Sequence, residues 1–317
     1  MKRIGILTRD CAGINAGIRA VVRSASVYGI EVLGIYRGYE GLINGDMKVL
    51  DRRSVSGIIN LGGTILKTSR SKRFRTVQGQ RQAVKTIKEN KIDGLIIMGG
   101  NGTLTGAHIL ASKYSIPVVG VPATIDNDVR GINMTIGADT AVNVAVDALD
   151  KIRDTADSLE RIFVVEVMGR DCGYLALRTA LAGGCEEVLL PEKNFNIKNI
   201  CKDIVKGNIS GKISWIIIVA EGKAKAADIS QQINDRTGLE TREVVLGHIQ
   251  RGGRPTAFDR ILAARYANYA FEILRKGQTG KYVTIKNNKL ATINLSEALK
   301  PKDIEVEEYY RLIKILT

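Results

Sequence analysis

The sequence predicts an α/β fold in which mostly parallel sheets, buried on both faces, are divided between two lobes. Three observations carry this. Short runs rich in Ile, Leu and Val alternate with longer amphipathic stretches. The runs are continuously apolar, as strands covered on both faces are, and do not alternate with polar residues. Finally, 317 residues exceed the length at which one core usually stops growing, roughly 250 to 300 residues.

Taken in order, the first strand is read at Ile4–Leu7, and the segment from Asn15 to Tyr28 follows as a helix with Ile18, Val21, Val22 and Ala25 at helical spacing. Further strands are read at Val32–Tyr36, Leu95–Met98 and Val118–Val121. After a second helix from Ala138 to Asp157, marked by Val142, Ala145, Val146, Leu149 and Ile152, strands are read at Phe163–Val167, Val188–Leu190 and Ile216–Val219. From about Asn287 the chain is more polar, and Pro301 to Ile315 is helix-like. No Pro-rich linker, low-complexity tract or fixed-period repeat marks a boundary, which is placed near Gly137.

Composition narrows the function classes. The chain is 44% hydrophobic and 25% charged, and no apolar run approaches the ~20 residues of a membrane span. The start, Met1 to Thr8, has a basic beginning but a short apolar stretch, which reads as a strand and not an export signal, so the cytoplasm is expected. Cys11, Cys172, Cys185 and Cys201 lie far apart, without the spacing of a zinc site or a disulfide framework, and are expected as reduced thiols. The formal charge of +14 suits phosphorylated metabolites or polyanions. Nucleic acid is disfavoured, because aromatics are only 5% and the cations are scattered among acids.

In open α/β sheets the ligand crevice lies beyond the carboxyl ends of the strands. Gly99-Gly100-Asn101-Gly102-Thr103 follows one strand and precedes a helix, where glycines let backbone N–H groups approach a phosphate, although a plain strand-to-helix turn has the same appearance. Thr124-Ile125-Asp126-Asn127-Asp128 brings two carboxylates to another strand end. One could accept a proton from a hydroxyl nucleophile while the other faces a metal or a cation; a helix cap with a turn aspartate is the alternative. Met168-Gly169-Arg170, Glu221-Gly222 and His248 to Gly253 repeat the theme of polar groups at strand exits. Arginines such as Arg161, Arg242 and Arg251 suit a phosphate through a bidentate fork, although each taken singly also reads as a solvated surface charge.

Met1 to Thr8, Gly62-Gly63-Thr64, Thr124 to Asp128, Lys151 to Thr155, Glu166 to Arg170, Ala220-Glu221-Gly222 and Leu246 to Asp259, in that order, resemble the bacterial ATP-dependent 6-phosphofructokinases over nearly the whole chain. The resemblance implies the phosphofructokinase fold of two Rossmann-like three-layer lobes. A nucleotide-binding lobe would be 1–137 plus about 251–300, and a sugar-phosphate-binding lobe about 138–250 plus 301–317. It implies ATP, Mg²⁺ and fructose 6-phosphate as ligands and a homotetramer, with a paralogous subunit as a possible addition; no nucleic acid or membrane is implied. Asp126 would be the base, with Thr124 and Asp128 beside it and Arg170 assisting at the phosphoryl group. Met168, Gly169, Glu221, His248 and Arg251 would hold the sugar phosphate, with Arg161 and Arg242 reaching it from a neighbouring subunit. Arg70, Gly100, Asn101, Gly102 and Thr103 would hold the nucleotide, and Arg19, Arg23, Arg153 and Lys212 an allosteric effector, ADP or phosphoenolpyruvate.

Two departures from that family pattern lie on the nucleotide side. Thr8-Arg9-Asp10-Cys11-Ala12-Gly13 is shorter than the family's phosphate loop and lacks its glycine pair. Asn101 stands where the family has an aspartate associated with magnesium, so it is expected to be a weak metal ligand. Gly102 and Ala123 are unlike the pyrophosphate-using branch. The pattern therefore admits two readings: a kinase with a remodelled donor site, or a catalytically weak or inactive paralogue that binds sugar phosphate as a regulatory subunit. A dinucleotide oxidoreductase is disfavoured, since no Gly-x-Gly-x-x-Gly follows the first strand.

Overall fold

Hydrophobic strands alternate with amphipathic helices through most of the computed structural model, which describes residues 1–317. In order, the elements are β1 (Arg3–Thr8), α1 (Ile14–Val27), β2 (Glu31–Ile35), α2 (Tyr39–Asn44), β3 (Met47–Leu50), α3 (Val77–Glu89), β4 (Gly94–Gly99), α4 (Asn101–Tyr114) and β5 (Val118–Pro122). Then come α5 (Ala138–Leu159), β6 (Ile162–Val167), α6 (Tyr174–Ala182), β7 (Glu187–Leu189), α7 (Ile197–Ile209), β8 (Trp215–Ala220), α8 (Ala226–Thr237) and β9 (Thr241–Val245). The chain closes with α9 (Ala257–Arg275), β10 (Lys281–Lys286), β11 (Lys289–Asn294) and α10 (Glu307–Leu316). It divides into one unit of Met1–Thr140 with Arg251–Lys302, and another of Ala141–Gln250 with Asp303–Thr317.

The first unit is built on a seven-stranded sheet of order β11-β10-β5-β4-β1-β2-β3. Its centre is parallel, with β3 and β11 as antiparallel edges. Every residue of β4 and β5 is buried, which is why these segments read as unbroken apolar runs. α1 turns Ile14, Ile18, Val21, Val22 and Ala25 inward and packs against α9. On the other face, Leu104, Ala107 and Leu110 of α4 join a core with Ile35, Leu42, Ile97 and Tyr282.

The second unit has a wholly parallel four-stranded sheet of order β7-β8-β6-β9. One face carries α7 and α8 through Ile200, Ile204, Ile229 and Ile233. The other carries α6 together with Val306 and Ile313 from the C-terminal segment. The Tyr310 hydroxyl donates to Glu187 Oε1 at 3.0 Å, and Lys314 pairs with Glu187 Oε2 at 2.5 Å.

Two expectations about the last thirty residues need correction. Helix formation does not begin at Pro301: residues 301–306 are non-helical, and α10 starts at Glu307. The extended stretch is held by Arg130 Nη1 donating to the Pro301 carbonyl at 3.0 Å and by Lys302 Nζ donating to the Asn127 carbonyl at 2.7 Å. Glu307 and Glu308 then supply the negative charge that a helix N-terminus favours. The polar region after Asn287 also contains half of a hairpin, β10–β11, whose Asn287 and Asn288 adopt φ of 49° and 61°. No helix is long and apolar enough to cross a membrane.

Candidate active site

In the seven-stranded sheet, β1 lies between β4 and β2, so the chain winds away from β1 in opposite directions. Topology therefore opens a crevice at the carboxyl ends of β1 and β4. The loop after β5 adjoins it, because Ala123 N donates to Gly99 O at 3.0 Å and a side chain on Gly100 would meet Thr124 Cβ at 3.1 Å.

That loop is rigidly framed. Thr135 Oγ1 donates to the Thr124 carbonyl at 2.6 Å, and Thr135 N donates to Asn127 Oδ1 at 2.9 Å. Asn127 also donates to Asn133 O at 3.0 Å and has φ 49°, a conformation that asparagine tolerates better than most residues. The frame leaves Asp126 2% exposed, with Thr124 Oγ1 donating to its Oδ2 at 3.2 Å. Asp128 is half-buried two residues on, and its carbonyl accepts from Asn101 Nδ2 at 3.2 Å. The structure thus joins the two motifs, Gly99 to Thr103 and Thr124 to Asp128, that the sequence places on separate strands.

Gly100 caps α4 with no side-chain hydrogen bond, so the helix begins with backbone donors and a favourable dipole for an anion. A Cβ on Gly102 would meet nothing within 4 Å, which keeps this helix start open, while Thr103 is buried. Asn101 Oδ1 is buried and accepts no hydrogen bond. An orphaned carbonyl oxygen of this kind fits a hydrated cation, although no group of three or more His, Cys, Asp or Glu residues surrounds it.

The short loop after β1 is tied inward. Arg9 N extends the ladder by donating to Met98 O at 2.9 Å, while Arg9 Nη1 donates to Thr68 Oγ1 at 2.9 Å and to Ser69 O at 2.8 Å, beside exposed Arg70. Asp10 Oδ1 accepts from Thr64 N at 3.0 Å. Cys11 is fully buried, and burial pushes its thiol well above the ordinary value. The other three cysteines are buried and unbridged as well.

In the second unit the carboxyl ends of β6, β8 and β9 converge. Glu221 Oε1 accepts from Gly169 N at 3.2 Å and from Arg170 N at 2.9 Å, which fixes a turn where Gly169 has φ 137° and Arg170 φ 53°. Glu221 was expected to meet sugar hydroxyls; one of its oxygens is engaged in shaping this loop. Met168 N donates to Gln250 Oε1 at 2.8 Å, so Gln250, which sequence reasoning left without a role, sets the height of the Met168 loop. Its place between His248 and Arg251 was the available signal. His248 and Arg242 are exposed and Arg161 half-buried. Arg161 and Arg242 both contact Glu240, at 2.9 and 2.5 Å. Burial opposes the charge on Glu240, but the hydrogen bonds from Arg161 and Arg242 outweigh it and hold the carboxyl below its usual range. Arg251 lies in the first unit.

Of the four effector candidates, Arg19 and Arg23 lie one turn apart on α1. Arg153 and Lys212 meet one turn of the second unit: Arg153 Nη2 donates to Gly184 O at 2.9 Å, and Lys212 pairs with Glu186 at 2.9 Å.

Comparison with known proteins gives a consistent result. The family described as Phosphofructokinase matches residues 3–274. An ATP-dependent 6-phosphofructokinase of Halalkalibacterium halodurans is 49% identical over 319 residues, covering 100% of both chains. One of Clostridium botulinum (strain Hall) is 48% identical over 319 residues with the same coverage. Among solved structures, phosphofructokinase from Saccharomyces cerevisiae superposes with a TM-score of 0.88 at 33% identity, over 94% of this chain and 45% of that one. With a family match over most of its length and relatives near half identity from end to end, this chain belongs to the phosphofructokinase family.

Proposed function

We propose that the protein is an ATP-dependent 6-phosphofructokinase, which transfers the γ-phosphoryl group of ATP to the 1-hydroxyl of fructose 6-phosphate. The observation that carries this is the buried Asp126, held at the end of β5 beside the open N-terminus of α4. Phosphoryl transfer needs little from a protein except positioning, a proton acceptor for the hydroxyl and compensation of phosphate charge.

In this reading the first unit binds the nucleotide and the second the sugar phosphate. The backbone donors at Gly100 and Gly102 take the nucleotide phosphates beside Thr103, whose own N–H is bound to the Gly100 carbonyl, with Arg70 next in sequence to Ser69, where Arg9 is anchored. Asp126 accepts the proton of the sugar hydroxyl, and Thr124 fixes its carboxylate by a hydrogen bond. Asp128 stands beside them, and Arg170 offsets charge on the moving phosphoryl group. Met168, Gly169, Glu221, His248 and Arg251 form the sugar-phosphate site, completed by Arg161 and Arg242 of another copy in a homotetramer. Mg²⁺ would be held by the nucleotide with Asn101 Oδ1, and would neutralise phosphate charge. Arg19, Arg23, Arg153 and Lys212 form an effector site. The protein acts in glycolysis in the cytoplasm.

One observation favours a second reading. Asn101 supplies no charge where a carboxylate would bind Mg²⁺ more strongly, which suits a weakly catalytic paralogue that binds fructose 6-phosphate as a regulatory subunit.

A coupled assay for fructose 1,6-bisphosphate decides between them. Turnover is expected with ATP and Mg²⁺, and Asp126→Asn is expected to lower kcat by roughly 10² to 10⁴ while fructose 6-phosphate still binds. Binding of the sugar phosphate without turnover on ATP, ADP or pyrophosphate would overturn the kinase reading in favour of the regulatory one.

A further inference from the structure

A groove of about 620 Å³ in the second unit, between α7 and α8, takes no part in the function proposed above. Its chemistry is two-sided. Lys198, Lys202 and Lys206 recur every four residues along α7, and Arg236 at the end of α8 adds a fourth cation. Beside this row runs an apolar one, Cys201, Val205 and Ile209, also spaced by four. Each row spans eight residue steps, roughly 12 Å at the helical rise.

Three further observations point to an occupant. No carboxylate lines the groove. None of the four cations belongs to an ion pair, whereas Lys193, Lys212, Lys225 and Lys314 of the same unit are all paired with glutamates. And Val205 and Ile209 are 38% and 81% exposed, so these two apolar side chains lie open to water beside the charges, while Cys201 is buried beneath them.

We propose that this groove binds a small organic anion with an apolar body and at least two negative charges, set no further apart than the roughly 12 Å spanned by the lysine row. Four like charges around one hollow favour an anion, and the exposed Val205 and Ile209 gain by being covered. A compact inorganic ion would satisfy only the lysines. A neutral apolar compound would cover only Val205 and Ile209. The volume lies within the range of small-molecule sites, which run from about 300 to 1,000 Å³.

The test uses bis-ANS, a fluorescent disulfonate built on naphthalene rings, titrated against the whole protein with saturating ATP and fructose 6-phosphate present. One saturable site per chain is expected. The Lys202→Glu/Lys206→Glu double variant should raise its Kd at least about tenfold, a difference of about 1.4 kcal/mol. Ile209→Asp should weaken binding as well, and Lys202→Ala/Lys206→Ala should do so to a smaller degree, so that charge reversal is not the only arm. Dodecanedioate should displace the dye where equal inorganic phosphate does not, and none of these variants should alter phosphofructokinase turnover. Three results would overturn the proposal: an unchanged Kd in the variants, displacement by phosphate alone, or a shift in sedimentation showing that the variants disrupt contact with a second copy.

Discussion

Asn101 shows how a single side chain redistributes a charge requirement. Its amide nitrogen ties α4 to the Asp128 carbonyl, while its buried oxygen accepts no hydrogen bond. Replacing it by aspartate keeps the size and adds an anion at the helix start, where the dipole favours one, at the loss of the amide donor to the Asp128 carbonyl. Asn101→Asp is expected to lower the Mg²⁺ concentration for half-maximal turnover on the order of tenfold. Initial rates across a Mg²⁺ series check this, and an unchanged midpoint would remove Asn101 from the metal's surroundings. At this scale the sequence was informative about identity and silent about attachment. Asp126, Thr124 and Asn101 could be picked out by motif. That Asp10 and Arg9 are bound to Thr64 and to Thr68 and Ser69 could not, because those contacts join residues more than fifty positions apart.

Elements meet at glycines where no other residue leaves room. A Cβ on Gly222, just after β8, would lie 1.9 Å from the Arg170 carbonyl oxygen and 3.2 Å from Asp171 Cα, both main-chain atoms that have no rotamer to escape into. Gly222→Ala should therefore push apart the loops after β6 and β8 and destabilise the protein by about 1–3 kcal/mol. Because Glu221 holds the Gly169–Arg170 turn, the same change should raise KM for fructose 6-phosphate at least about tenfold with far less effect on KM for ATP. Steady-state kinetics with each substrate varied would show it; equal effects on both would place the damage elsewhere. Strands of the first sheet were legible because β4 and β5 are buried along their whole length. The β10–β11 hairpin escaped because both strands are short, mix apolar with polar residues and start with lysine, although the paired asparagines between Lys281–Lys286 and Lys289–Asn294 were a usable turn signal.

At the scale of the whole chain, each unit is completed by a segment distant in sequence. Residues 303–317 supply Val306 and Ile313 to the second unit's core and the lysine that balances buried Glu187. A chain ending at Lys302 loses the burial of Val306 and Ile313, about 1.5–3 kcal/mol for each apolar side chain, and leaves Glu187 without its lysine. Hydrogen exchange should then quicken in β6 and β8 while β1, β4 and β5 keep their protection; equal loss in both units would contradict the division. The fold class was readable at this scale from strand and helix alternation, but the start of α10 was not, since the side-chain bonds that hold residues 301–306 out of helix come from Arg130 and from Lys302 itself reaching back to Asn127. The interleaved order of the two units also bears on synthesis. A ribosome adding roughly 5–20 residues per second needs tens of seconds for such a chain. Through that interval β6, β8 and their neighbours have emerged without the residues that close their core, and the first unit waits for everything up to Lys302. Neither unit can close its core while its first stretch of message is read: the first waits for residues 251–302 and the second for residues 303–317, so each core stays open longer than in a chain whose domains follow each other in line.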